Sequence, residues 1–339
     1  MSIKDTVKSI KCMEGVLRFV KTLSIYRCWK LKQQSRYDMK RLYKYAGVFH
    51  PETKGALQRD LMMQVHSLER SFTMPEFECG HGGKNVKRLM ALVNQYAAKG
   101  YSMDDFEPKY ALSILATYLA IHERAGYAVP EDVLQPAQAL LSKHPAQPVF
   151  QPRVTQGEFW ERNEAPFPEF AASRHCVREY AGRAPLESIY AAIDLACTAP
   201  SACNRQYTKV HIYDSREQVR QIFDIQVGNQ GFGHLVEQVL VITTDLSALN
   251  CQEERFDAFT NAGIFTMNLC YALHYHKVAF CILNWSVTPA MDRAMHRVAG
   301  IPDEESIALV LSVGMPPREF SHAMSCKKSS REVAVYHRR

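Results

Sequence analysis

Apolar positions recur at helical spacing through the first 144 residues and give way to short β-type runs beyond residue 167. Val16, Phe19, Val20 and Leu23 share one face, with Arg18, Lys21, Arg27 and Lys30 largely on others, which predicts a basic amphipathic helix. Further helices are predicted over 55–71, 85–99 and 108–125. Between 143 and 170 the periodicity breaks. Pro145, Pro148, Pro152, Pro166 and Pro168 interrupt any helix or central strand there, so the stretch reads as a linker or a surface strap. Beyond it, 209–213, 239–243, 279–283 and 307–313 are short and rich in Val, Ile or Leu, as strands are. Helical patterns occupy 186–199, 255–276 and 289–298. The expected organisation is a helical unit over 1–144, a proline-rich linker over 145–166, and a layered α+β or α/β unit over 167–339 with one sheet covered by helices.

The 255–276 pattern is apolar on most of its circumference, through Phe256, Phe259, Ile264, Phe265, Met267, Leu269, Cys270 and Leu273. Such a helix needs partners on every side, which a monomeric core or a subunit interface supplies equally well.

Composition adds limits. A chain of 339 residues with 47% hydrophobic and 22% charged residues is ordinary for a globular protein of two domains. Its longest apolar run, 111–121, falls short of the ~20 residues that span a bilayer. No short apolar segment with a small-residue cleavage site opens the chain, so the expected location is the cytoplasm. Ten scattered cysteines with no C-x-x-C pair predict reduced, mostly buried thiols. A zinc site on Cys79 and His81 lacks further ligands at suitable spacing, so no metal is expected. Twelve basic against three acidic residues through Lys44 put the whole excess of the +6 net charge at the N-terminus. That basic helix either lies on an anionic membrane surface or packs on its own domain with a solvated face. No motif supports nucleic-acid binding.

Candidate chemistry gathers in two places. Ser173-Arg174-His175-Cys176-Val177-Arg178 opens the second unit, and Pro200-Ser201-Ala202-Cys203-Asn204-Arg205-Gln206 follows a predicted helix and precedes a strand. Taken singly, Arg174 and Arg178 read as a solvated face, and Ser201 and Asn204 as a turn or cap. Taken in order, R-[RH]-[SC]-x-[RK] followed by A-P-S-x-x-N-x-Q resembles the FMN-dependent nitroreductase family over residues 167–339. The resemblance implies an α+β fold with a mixed or antiparallel sheet, and a homodimer with flavin at the subunit interface. It also implies that helix 255–276 lies at the centre of that dimer.

By the same resemblance Arg174, His175 and Cys176 fall where the family contacts the FMN phosphate and ribityl chain. Arg178 falls where a basic residue approaches the pyrimidine edge of the flavin. Cys176 stands in place of the usual Ser, a weaker donor. Pro200, Ser201, Asn204 and Gln206 match the motif that faces the flavin from the other subunit, with Tyr207-Thr208 in place of Pro-Trp. Leu283 and Asn284 fall where backbone meets the flavin ring and N5. Lys327 fills one of two C-terminal basic positions for the phosphate, Ser325 occupying the other, with Lys328 and Arg331 nearby. The glycine-rich stretch from Val227 to Gly233 reads either as a close approach to the cofactor or as a flexible turn.

A second resemblance touches the helical unit. His66-Ser67-Leu68-Glu69-Arg70-Ser71-Phe72 is similar to the H-x-L-E-K-G-L segment of nitroreductase-like proteins from polysaccharide gene clusters, with Arg for Lys and Ser for Gly. His66 and Glu69, one helical turn apart, either contact a ligand or form a structural pair at the domain interface. The implied activity is ping-pong hydride transfer from NAD(P)H through FMN to a small-molecule acceptor, such as a nitro compound, a quinone or a pathway-specific substrate. No residue is assigned as proton donor. The rivals are dehalogenation or flavin destruction on the same fold, and a non-catalytic protein docked by its basic N-terminus to a membrane or assembly.

Overall fold

The computed structural model describes residues 24–337. The predicted amphipathic face at residues 16–23 lies outside them. The first described helix, α1 (Ser24–Tyr45), has no buried residue and leaves Ile25, Trp29, Leu42 and Tyr43 exposed. It is held to the body by a two-toothed ion pair, Asp38 with Arg255 at 2.5 and 2.8 Å.

Four helices follow: α2 (Lys54–Phe72), α3 (Gly83–Ala98), α4 (Phe106–Arg124) and α5 (Glu131–Lys143). Leu57, Leu61, Val65 and Leu68 stack along one stripe of α2 and close on Leu89, Val93, Ile114 and Leu115, forming the core of the helical part. Thr53 caps α2 by accepting from the Ala56 N–H.

The proline-rich stretch then crosses to the sheet. Its strand β1 (Arg153–Thr155) is followed at once by α6 (Gln156–Trp160), opened by a Thr155–Glu158 capping box, and then by α7 (Phe167–Ser173). Phe159 and Trp160 of α6 are buried in the second core.

Beyond α7, the order is α8 (Leu186–Ala196), β2 (Thr208–Tyr213), α9 (Arg216–Ile225), β3 (Gln238–Asp245), α10 (Asp257–Tyr275), β4 (Ala279–Asn284), α11 (Pro289–Ala299), β5 (Glu305–Gly314), β6 (Glu319–Ser321) and α12 (Ser330–Val333). The four-stranded sheet runs β2-β3-β5-β4 and is antiparallel throughout; β1 and β6 pair separately. This is an α+β architecture. In β3, Val239 and Val241 face one layer while Leu240 and Ile242 face the other, as side chains alternate on a strand. Helices α9 and α11 cover the first face through Val219, Ile222 and Met295. Helices α8 and α10 cover the second through Ile189, Leu269 and Leu273. Burial on both faces is why β3 reads as an unbroken apolar run.

Two expectations change. Of the nine described cysteines, Cys28, Cys79, Cys197, Cys203 and Cys251 are exposed; only Cys270 and Cys281 are buried. All nine are free thiols, but most of them sit in loops, helix ends or the outer face of α1 rather than in cores. Helix α10 is not covered all round within one chain: Phe256, Phe259, Ile264 and Met267 are 36–55% exposed. Tyr190 and Leu195 of α8 are exposed as well. No described helix is long and apolar enough to cross a membrane.

Candidate functional site

After α7 the chain becomes extended at Arg174 and runs beside β4, with the Val177 N–H donating to the Phe280 carbonyl at 2.8 Å. Extended backbone alternates its side chains. Val177 is fully buried in the core on the first face of the sheet, while the half-buried Cys176 packs against the cores on both faces. Tyr180 anchors the segment by donating to the Val177 carbonyl at 2.9 Å.

Arg178 is only 8% exposed. Arg174 lies over the Phe280 ring at 5.9 Å, and its Nε is buried with no hydrogen-bond acceptor. His175 stacks on His322 with ring centroids 4.1 Å apart. Burial, then the neighbouring His322 and Arg174, push His175 down to about 4, so both stacked rings are neutral near pH 7. The Cys176 thiol faces Cys281 of β4; that hydrogen bond, with Arg178 and Arg174 nearby, favours the Cys176 thiolate against burial.

Lys327 reaches the same place from the C-terminal strap. After β6, the Met324 N–H donates to Gln151 Oε1 at 2.7 Å, the Ser325 N–H to Glu69 Oε1 at 3.1 Å, and the Cys326 N–H to the Tyr110 hydroxyl at 3.1 Å. Lys328 closes the strap on Glu107 at 2.5 Å. Tyr110 in turn donates to Glu69. Thus Glu69 is the structural half of the His66/Glu69 pair, clamping the strap to α2. Ser325 sits at φ 47°, the bend that turns its N–H onto Glu69.

His66 takes no part in that clamp. It is pushed down to about 4 by burial first and then by Arg178, Arg70 and Lys327, yet more than a third of the residue stays solvent-accessible. Arg70, one turn along α2, is depressed by burial and by Arg178. The ion pairs among the described residues engage none of Arg70, Arg174, Arg178 and Lys327. The nearest acid is Glu69, whose carboxylate is taken by Tyr110 and the Ser325 N–H while its charge faces Arg178 and Lys327. Arg70, Cys281, His274 and His322 were absent from the sequence-based site. They come from four separate elements, and no local motif marks them.

The second motif lies elsewhere. Cys203, Asn204 and Gln206 all take positive φ, 52–54°, in a tight turn. Ser201 Oγ accepts from the Gln206 N–H at 3.0 Å, and the Gln206 amide donates to Asn204 Oδ1 at 3.1 Å. The turn hangs on the start of α10, where Asn261 Oδ1 accepts from the Ala202 N–H at 2.8 Å. A cavity of about 110 Å³ opens there between Pro200, Ser201, Gln206, Asn261 and Phe265. The first motif meets the other end of α10, where Ser173 Oγ and His274 Nε2 are 3.1 Å apart. Thirteen residues of helix separate those ends, about 20 Å at 1.5 Å per residue. One chain therefore does not bring the two motifs together.

Leu283 is buried in the core at the end of β4, while Asn284 is exposed and its carbonyl accepts from Gln226 at 3.0 Å. The glycine-rich stretch packs on this end rather than cradling an anion. Its Gly228 N–H is taken by Gln226 Oε1 at 2.6 Å, and the Phe232 N–H by the Asn229 carbonyl at 3.2 Å. Gly231, at φ 87°, lets Met74 of the helical part approach so closely that a Cβ would lie 3.1 Å from its sulfur. Among the described residues no cluster of His, Cys, Asp and Glu could hold a metal.

No protein-family model matches this sequence, and no curated protein does. Among solved structures it is similar to an FMN-dependent nitroreductase from Clostridium difficile R20291, at 15% identity over 50% of this chain and 98% of that one, with a TM-score of 0.41. A nitroreductase family protein from Clostridium novyi NT aligns at 14% identity over 44% of this chain and 85% of that one, with a TM-score of 0.40. A nitroreductase family protein from Streptococcus pneumoniae TIGR4 aligns at 17% identity over 51% of this chain and 100% of that one, with a TM-score of 0.44.

Proposed function

We propose that this chain is an FMN-dependent oxidoreductase of the nitroreductase type, working as a homodimer on an organic acceptor. The observation that carries the reading is the buried Arg174 Nε without an acceptor, on a segment beside β4 where Arg174, Arg178 and Lys327 form no ion pair. A flavin phosphate and an anionic flavin edge are the kind of groups such a cluster lacks.

The chemistry FMN would supply there is hydride transfer between NAD(P)H and the acceptor. The chain's own part is binding and electrostatics. Arg174 and Lys327 would hold the phosphate, and Arg178, desolvated at 8% exposure, would stabilise negative charge at the pyrimidine edge. His175 and His322, neutral near pH 7, supply hydrogen-bonding groups without adding charge.

The dimer rests on the ~20 Å between the two motifs and on the exposed apolar strip of α10 and α8. Two-fold pairing through that strip would carry Ser201, Asn204 and Gln206 of one copy toward the cleft of the other. The deciding experiment is the visible absorption spectrum of the purified protein with and without added FMN, followed by anaerobic NAD(P)H. A flavin spectrum that bleaches supports the proposal; a colourless protein indifferent to FMN ends it.

One observation favours a docking role in addition. Helix α1 is basic along its length and exposes Trp29, Ile25 and Leu42. Co-sedimentation with anionic phospholipid vesicles tests it; no binding at low salt removes it.

A further inference from the structure

Gly80-His81-Gly82-Gly83-Lys84 leads into helix α3 of the helical part. Gly80 and Gly82 sit at φ 85° and 83°, where a side chain is strained, and a Cβ on Gly80 would run into the Tyr127 hydroxyl. A Cβ on Gly83 would meet nothing within 4 Å, so the first turn of α3 opens on space. That space is a cavity of about 500 Å³ between the starts of α3 and α5 and the end of α4, and it shares no lining residue with the candidate flavin site. The loop is held from behind by the fully buried His122. Its Nε2 accepts from the Gly80 N–H at 2.8 Å and its Nδ1 donates to the Tyr118 carbonyl at 2.7 Å. Gly82 brings no side chain to cap α3, and no acid lies in the first turn. The Val86 N–H reaches the Gly82 carbonyl, whereas the Gly83, Lys84 and Asn85 N–H groups find no acceptor among the described residues. Asp132, the acid on the cavity wall, is taken by Lys87 at 2.5 Å, and Lys84 forms no ion pair among the described residues. A second observation is independent of the helix end. Tyr118 lines the cavity, is 1% exposed, and packs its ring on His122 at 4.1 Å, yet its hydroxyl has no hydrogen-bond partner in the described chain. A polar group so deeply buried calls for a partner, and the cavity is where one would stand.

We propose that the Gly80–Lys84 loop and Tyr118 bind the phosphate of a small soluble phosphate monoester in this cavity. Three adjacent N–H groups at the positive end of α3 converge on the anion, Lys84 offsets its charge, and the Tyr118 hydroxyl donates one further hydrogen bond. Donors from a helix end, an ammonium and a phenol approach from several directions, which suits the tetrahedral oxygens of a phosphate better than a flat carboxylate. At about 500 Å³ the cavity falls within the roughly 300–1,000 Å³ of small-molecule sites and exceeds what a bare ion fills. The organic part of the ester rests on Tyr127, which is 37% exposed, and on Pro130. The helical part thereby has a ligand of its own, separate from the flavin.

The test uses the full-length chain, with inorganic phosphate and adenosine 5′-monophosphate as probes and potassium chloride at matched ionic strength as the blank. Amide hydrogen exchange, read peptide by peptide, separates residues 79–90 from the 173–178 segment proposed for the FMN phosphate. Both probes should slow exchange at Gly83, Lys84 and Asn85 saturably, the ester at least about tenfold more tightly than the ion. Lys84→Met and Tyr118→Phe each remove a group that has no partner in the free chain, so both should keep the wild-type urea midpoint. Lys84→Met should raise the ester concentration for half-protection about tenfold, and Tyr118→Phe about threefold. Exchange at the loop that neither probe slows overturns the site, whatever happens at 173–178. Protection that both variants leave unchanged overturns the roles of Lys84 and Tyr118. Equal affinity for the ion and the ester overturns the ester, and equal protection by acetate overturns the phosphate.

Discussion

Replacing Glu69 by Ala is expected to cost about 2–4 kcal/mol and to loosen the candidate cleft at once. Glu69 is 2% exposed and sits between α2 and the C-terminal strap. It accepts from the Tyr110 hydroxyl and from the Ser325 N–H. Burial pushes its carboxyl up, and the two hydrogen bonds with the Lys327 and Arg178 charges push back. Alanine removes both acceptor contacts and leaves two donors to find others, at about 1–3 kcal/mol for each donor left buried. Tyr110 also receives the Cys326 N–H, so a rotated tyrosine would disturb the next link of the strap. Glu69→Gln keeps one carbonyl acceptor but removes the negative charge that faces Arg178 and Lys327, and should fall between Ala and wild type. Urea unfolding gives the stability difference, and limited proteolysis around residues 322–328 reports whether the strap has come free. A loss below about 0.5 kcal/mol with an unchanged cleavage pattern would refute the clamp, since surface substitutions already fall in that range.

Three further outcomes follow from the same geometry. Arg174→Met should weaken FMN binding by at least tenfold with little change in urea midpoint, because Arg174 Nε has no acceptor to lose; unchanged FMN affinity would remove Arg174 from the cofactor site. His274, 1% exposed and pushed down to about 4 by burial, binds a proton more readily unfolded than folded. Its contribution is therefore complete above pH ~6.5 and is lost as pH falls toward 4, on the order of 3 kcal/mol; a His274→Gln variant with the same loss of stability between pH 7 and pH 4 would contradict this. Ile264→Arg on the exposed side of α10 should convert a dimer to monomer in light scattering, and a wild-type monomer would remove the two-copy site.

Periodicity alone located most of the secondary structure. The strands expected at 209–213, 239–243, 279–283 and 307–313 became β2, β3, β4 and β5, each within one or two residues at its ends. The helices at 55–71, 85–99 and 108–125 did likewise, because their apolar stripes are long enough to outweigh end effects. Helix α5 was harder to see, since Pro136 lies inside it. β1 and β6 are three-residue strands that pair only with each other, across more than 160 positions, and carry no alternation long enough to read.

What the sequence by itself determined is local: the repeat of apolar positions, and the two motifs whose order, not whose individual residues, marks them. Tertiary structure decided the rest. It set the motifs at opposite ends of α10, since a rigid helix keeps whatever it touches about 1.5 Å per residue apart. It brought Arg70, Cys281 and His322 beside Arg174 and Arg178, because side chains from a helix, a strand and a strap meet only when three chain segments pack. It also made Glu69 a clamp and left His66 wetted, although both lie on one turn of α2. The clamp depends on where Ser325 and Tyr110 arrive, and that is a property of the folded chain.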